Sequence, residues 1–334
     1  MKVCIVGAGA IGGFIGARLA AAGACDVSAL ARGATLAALQ AHGWRLQEGG
    51  ELLQQPVRAE ADPHRLGLQD IVVVAVKGPA LSALAPSLAP LIGPRTVLLP
   101  AMNGVPWWFC DGVAGWDGRP LESVDPGGRI AAALPVAQVL GCVVHASAST
   151  SAPGVVQHAM GQGLIVGEPG GGATARAHAV ADLLVQAGFA ATVSADIRYD
   201  IWYKLWGNLT MNPLSAVTGA TMDRLLDDDD LRGFCGQAMR ETAAVGAAID
   251  CTVTQTPEER FAVTRKLGAF KTSMLQDVEA GRPMELDAIV SAVQEIARRR
   301  GVGTPAIDAL LGIARVFGQV HGLYPPNAKT PAAG

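Results

Sequence analysis

The chain opens Lys2-Val3-Cys4-Ile5-Val6-Gly7-Ala8-Gly9-Ala10-Ile11-Gly12-Gly13-Phe14-Ile15-Gly16-Ala17-Arg18-Leu19-Ala20-Ala21-Ala22, and the fold is decided there. A short β-branched run leads into a glycine turn and then into an alanine-rich helical stretch. Gly7, Gly9 and Gly12 hold the G-x-G-x-x-G spacing of a dinucleotide fingerprint. Gly7 permits the tight turn. Gly9 has no side chain, so a pyrophosphate can reach the backbone. Gly12 lets the helix lie close to the strand. Ala8, Ala10 and Ile11 complete the loop, and the helix N-terminus offers unpaired N–H groups and a positive dipole end to the phosphates.

The second strand, Asp26-Val27-Ser28-Ala29-Leu30, ends at Ala31-Arg32-Gly33. An NAD enzyme would place Asp or Glu near this point to hold the ribose 2′-hydroxyl. A cation at Arg32 instead suits a 2′-phosphate, so the sequence predicts NADPH over NADH. The plainer alternative is a solvated loop arginine.

With 334 residues, half of them hydrophobic and 16% charged, the chain can bury two cores. A net charge of −3 without a long basic run argues against nucleic acid. Met1 to Val6 reads as core strand rather than targeting signal, and no apolar stretch is long enough to span a membrane. Six scattered cysteines, with no C-x-x-C and no clustered histidines, read as reduced thiols in a cytoplasmic protein and not as a zinc site.

Further along, Trp44 to Ala59 reads as a hairpin around Glu48-Gly49-Gly50-Glu51. Asp70 to Val76 is a continuous β-branched run, as in a parallel strand buried on both faces. Ala80 to Leu91 reads as helix and Thr96 to Pro100 as strand. This alternation predicts an α/β fold with an N-terminal Rossmann-like, doubly wound parallel sheet. Ligands sit at the carboxyl ends of such strands, where Lys77 and Asn103 stand. Each is either a cofactor contact or, more plainly, a surface lysine and a turn asparagine. Trp107-Trp108-Phe109 concentrates aromatics in a chain with 5% of them. The run either covers an apolar surface beside the site or forms an interface. Val139 to Val144 reads as a strand, and Gly154 to His158 with Leu164 to Gly167 as an antiparallel pair. Ala175 to Gly188 is a helix and Ala190 to Val193 a last strand.

After Ser194-Ala195-Asp196 the period changes. Asp196 to Leu209, Asp229 to Ile249, Pro257 to Glu279, Glu285 to Arg300 and Pro305 to His321 all read as helix. The predicted organisation is a dinucleotide domain over 1–195, a C-terminal all-helical substrate domain over 196–324, and a disordered tail over 325–334.

Lys204, Asn208 and Asn212 are spaced i, i+4, i+8, so one helix face presents an ammonium and two amides. A polar stripe flanked by Trp202 and Trp206 is costly to bury. The alternative is an exposed polar face, with Asn212-Pro213 ending or kinking the helix. Ser273 could bind a carboxylate or hydroxyl, or cap a helix. Glu285, shortly after Pro283, could pair with the lysine or simply sit in a first helical turn.

Taken together, Gly7 to Gly13, Lys77, Asn103-Gly104, Lys204/Asn208/Asn212-Pro213 and Ser273-Met274-Leu275-Gln276-Asp277 with Glu285 resemble the ketopantoate reductase (2-dehydropantoate 2-reductase) family over almost the full length. The resemblance implies NADPH-dependent reduction of a 2-oxo acid, with the site in the cleft between domains. Lys204 would be the general acid, Asn208 and Asn212 substrate-binding amides, and Ser273 a substrate-binding hydroxyl. Glu285 would be a catalytic carboxylate near the cofactor and active site, and Lys77 and Asn103 would contact the nicotinamide end. The segment from Pro106 to Gly128 is longer and more aromatic than in shorter members, which bears on which 2-oxo acid is taken.

Ketopantoate is the expected substrate. Another 2-oxo acid or an imine would keep the fold and change the pocket. An NADP-binding sensor would need only the first domain, and intact Lys204, Asn208, Asn212, Ser273 and Glu285 speak against it. The aromatic run and the helical domain leave a homodimer open.

Overall fold

The computed structural model describes residues 1–266 and 268–326, so most of the tail expected over 325–334 lies outside the described residues. The chain forms two compact units, Met1–Trp202 and the residues from Tyr203 onward.

The first unit opens with β1 (Lys2–Val6), α1 (Ala10–Ala22), β2 (Asp26–Leu30) and α2 (Gly33–His42). Then come β3 (Trp44–Glu48), β4 (Glu51–Gln55), β5 (Arg58–Glu60), α3 (Pro63–Leu66), β6 (Ile71–Val74), α4 (Gly78–Leu84) and β7 (Val97–Pro100). It closes with α5 (Arg129–Ala133), β8 (Gly141–Ala152), β9 (Val155–Gly167), α6 (Ala175–Gln186) and β10 (Ala190–Val193). The strand order β5-β2-β1-β6-β7, parallel throughout, makes a five-stranded sheet. The order reverses beside β1, so the chain winds outward on both sides of its first strand. Val3 and Ile5 belong to one core cluster. Cys4 and Val6, equally buried, alternate onto the other face, so the sheet is covered on both sides.

A second sheet runs β10-β9-β3-β4, with β8 antiparallel to β9. Helix α1 contacts β1 and β2 on one side and β3, β4, β8 and β9 on the other. A helix lying between two sheets must be apolar all round, and the run from Ile11 to Ala22 carries only Arg18 as a charge. Gly13 and Gly16 make the second contact possible. A Cβ on them would stand 2.6 Å from Val156 and 2.6 Å from Trp44.

Several expectations change here. The hairpin ends at Gln55, and Arg58–Glu60 belongs to the parallel sheet. The expected antiparallel pair at 154–167 is one continuous strand, β9, whose antiparallel partner is β8. The aromatic run is interior: Trp107, Trp108, Phe109 and Trp116 are all buried. Trp108 lies against Gly141, and Phe109 stacks on Trp202 with centroids 5.8 Å apart. These are core residues of the first unit and not an exposed interface.

Helix α7 (Ile197–Thr218) continues through Pro213. The second unit adds α8 (Met222–Asp227), α9 (Asp229–Ala247), α10 (Pro257–Arg265), α11 (Ser273–Glu279), a π-turn over Asp287–Ser291, α12 (Ala292–Arg300) and α13 (Pro305–Val320). The stretch expected as one helix over 257–279 is two, because Gly268 takes φ +62° and Thr272 caps a new start. Helix α9 is central and contacts α8, α10, α12 and α13. Its buried Glu241 accepts the N–H groups of Ala306 at 3.0 Å and Ile307 at 3.0 Å, capping α13. No helix among the described residues is long and apolar enough to cross a membrane.

Candidate active site

In the first unit the carboxyl ends of the parallel strands are linked in series by backbone hydrogen bonds. Gly7 donates to Leu30 O at 3.1 Å, Ala31 to Glu60 O at 3.0 Å, Ala75 to Val6 O at 2.9 Å and Ala101 to Val74 O at 2.9 Å. This edge carries Gly7 to Gly12 after β1, Arg32 after β2, Lys77 after β6 and Asn103 after β7. The predicted cofactor residues are therefore brought to one rim. Lys77 is half-buried at the N-cap of α4, and Asn103 is half-buried just before Gly104.

The glycine loop takes the geometry its spacing demands. Gly7 has φ +91°, closed to most side chains. A Cβ on Gly12 would meet Ile5 and Ala75 at 3.0 Å, so α1 lies directly on the strands. A Cβ on Gly9 would meet nothing within 4 Å. The helix start is thus open where a ligand has to approach. Gly9 caps α1 without a side-chain hydrogen bond, and the first turn holds no acid. The first-turn N–H groups, from Ala10 to Gly12, point out of the helix without intrahelical acceptors. Arg32 is the exposed N-cap of α2, whose first turn also lacks an acid. An open, uncapped helix start with a cation at the end of the next strand fits a dinucleotide carrying a 2′-phosphate.

In the second unit, Lys204, Asn208 and Asn212 all lie within α7, so the i, i+4, i+8 alignment is real. Tyr203, Lys204, Gly207 and Asn208 form a half-buried stripe on a helix whose other residues from Ile201 to Ala216 are buried. Asn212 is 5% exposed. The helix does not end at Asn212-Pro213, and Asn212 is not on an exposed face. Trp206 fixes the opposite side by donating Nε1–H to Met239 O at 2.7 Å.

Ser273 is the first residue of α11 and is exposed; the cap is Thr272, which accepts from Leu275 N–H at 3.1 Å. Glu285 is half-buried in the link before the π-turn, not in a first helical turn. Arg282 braces this link by donating Nε–H to Asp277 at 2.8 Å, and Met284 N–H donates to Leu323 O at 2.9 Å. Asp287 opens the π-turn and accepts from Tyr324 Oη at 2.5 Å. Burial, reinforced by that carboxylate, pushes the Tyr324 phenol well above its ordinary range.

One residue on the α7 face had no signal in sequence. A Cβ on Gly207 would stand 3.2 Å from Nε and Nη2 of Arg260, on α10. Arg260 Nη1 donates to Tyr203 Oη at 3.2 Å, and Tyr203 donates to Gln255 at 2.6 Å. The pairing spans two helices, so no local pattern around residue 260 could announce it.

The chain matches two family models, "Ketopantoate reductase PanE/ApbA" over residues 3–112 and its C-terminal counterpart over residues 196–317. It is 44% identical to a 2-dehydropantoate 2-reductase of Mesorhizobium japonicum, covering 97% of this chain and 100% of that protein. Its structure is similar to that of a protein from Ralstonia solanacearum MolK2, provisionally described as a ketopantoate reductase. The TM-score is 0.93 at 55% identity, over 96% of this chain and 99% of that one. It is also similar to 2-dehydropantoate 2-reductase from Methylococcus capsulatus, with a TM-score of 0.80 at 26% identity over 96% and 98% of the two chains.

Proposed function

The chain belongs to the ketopantoate reductase family, and on that premise we propose that it is an NADPH-dependent oxidoreductase reducing 2-dehydropantoate to pantoate. The observation that carries the site assignment is the α7 face, where an ammonium and two amides line up at four-residue spacing alongside the buried Trp202, Leu205, Trp206 and Leu209.

In this reading residues 1–195 form the cofactor domain and 196–324 the substrate domain. The first-turn N–H groups of α1 hold the pyrophosphate, Arg32 the 2′-phosphate, and Lys77 and Asn103 the nicotinamide end. Bound NADPH supplies a hydride to the 2-oxo carbon. The carbonyl oxygen gains negative charge as that happens, and the Lys204 ammonium stabilises it and then gives it a proton. Asn208 and Asn212 orient the substrate by donating amide hydrogens, and Ser273 adds a hydroxyl. Glu285 favours the charged form of Lys204 by placing a carboxylate in the same site. Residues that bind only cofactor would make a sensor. The polar face on α7 supports an enzyme.

The test is isotopic. With NADPH deuterated at the transferring position, the product from 2-dehydropantoate should carry one deuterium at C2 by mass spectrometry. Unlabelled product, or none, would overturn the reading.

A further inference from the structure

We infer that Arg260 is a substrate-binding residue that receives the carboxylate of the 2-oxo acid. The inference rests on reading Lys204 as the proton donor of a 2-oxo acid reductase, and it adds the group that tells an acid from its neutral analogue.

Arg260 is half-buried, and its Nε is buried with no hydrogen-bond partner among the described residues. Its neighbours in sequence do not neutralise it. Glu258 pairs with Arg240 at 3.1 Å, and the Glu259 carboxylate closes the capping box of α10 on Thr256. No carboxylate among the described residues forms an ion pair with Arg260. A guanidinium partly removed from water without a counter-charge is an unfavourable arrangement unless a ligand supplies the charge.

The guanidinium is also held in place. Tyr203 accepts one Nη1 hydrogen, and the Tyr203 ring lies under Cζ at 5.0 Å. The glycine at 207 lets it rest against α7, since any Cβ there would crowd Nε and Nη2 at 3.2 Å. Gly207 is three residues from Lys204 and one from Asn208. The guanidinium therefore rests against the half-buried stripe of α7 that carries Lys204 and Asn208. A 2-oxo acid has its carboxylate one bond from its carbonyl carbon. A planar two-pronged cation beside a point-charge cation matches that pair of acceptors.

The experiment is steady-state kinetics of Arg260→Gln with 2-dehydropantoate and with its uncharged amide, at saturating NADPH. The acid should show KM raised on the order of 30-fold with kcat within about threefold. The amide should show no change in KM, and NADPH affinity should be unaltered. Arg260→Lys should recover part of the loss. Tyr203→Phe, which removes only the anchoring hydroxyl, should raise KM for the acid about threefold and leave the amide alone. Equal losses for acid and amide, or no loss for either, would overturn the assignment. A wild-type chain inactive on every 2-oxo acid would instead overturn the reductase reading, and this inference with it.

Discussion

A Cβ on Gly12 would stand 2.0 Å from the carbonyl oxygen of Gly7. The first and third glycines of the loop are therefore in mutual contact, and the turn and the helix start are one rigid piece. Gly9, between them, faces open space. Gly12→Ala should cost about 1–3 kcal/mol of stability through overpacking and weaken NADPH binding as well. Gly9→Ala should change stability by less than about 0.5 kcal/mol while raising the NADPH Kd about tenfold or more. Thermal melts and fluorescence titration of both variants separate the two roles.

Arg32 is exposed at the end of β2, where a 2′-phosphate would lie. Arg32→Asp should weaken NADPH by a factor on the order of 10 to 100 and NADH by much less. Equal weakening of both cofactors in a binding assay would remove Arg32 from the site.

Lys204→Ala should lower kcat by a factor on the order of 100 or more, with NADPH affinity unchanged. Single-turnover measurement of NADPH consumption checks it directly. Near-normal turnover would mean the proton comes from elsewhere.

Glu241 is 6% exposed and accepts the first N–H groups of α13. Glu241→Ala leaves those donors buried and unpaired, and should cost about 2–4 kcal/mol. Glu241→Gln keeps an acceptor and should cost less. Urea unfolding of both variants gives the comparison.

The Arg176 guanidinium beside Glu168, donating from Nε at 2.7 Å, holds that carboxyl below its ordinary value of 4.5, and Thr174 adds to the effect. A depressed folded-state value means stability that is present above 4.5 and lost as pH falls through the lower folded value. Glu168→Gln should lower the melting temperature at pH 7 and flatten its decline between pH 4.5 and more acid conditions. An unchanged acid limb would place the acid sensitivity in other groups.

How much of this was legible in the sequence differs by element. The glycine loop was legible because local backbone demands fix it. The rim holding Arg32, Lys77 and Asn103 followed, because the carboxyl ends of parallel strands share an edge. β9 was not legible. By sequence it reads as two paired strands, 154–158 and 164–167, but Gly161 between them takes φ +74° where a Cβ would stand 2.5 Å from His145 O, and the register slips between His145 and Ser147. The glycine marks a bulge in one long strand, and only the partner strand reveals that. Pro213 misled in the same way. A proline removes one hydrogen bond, and the buried residues on both sides of it hold the helix together regardless. The burial of Trp107, Trp108 and Phe109 and the seat of Arg260 on Gly207 depend on distant partners, which no local pattern encodes.

The most direct test is the initial rate of NADPH absorbance loss with 2-dehydropantoate, set against a panel of other 2-oxo acids, an imine substrate and NADH. Rapid oxidation with 2-dehydropantoate and NADPH, slow with every other pairing, is the predicted result. Tight NADPH binding with no oxidation on any substrate would contradict the assignment of Lys204 and its neighbours to catalysis.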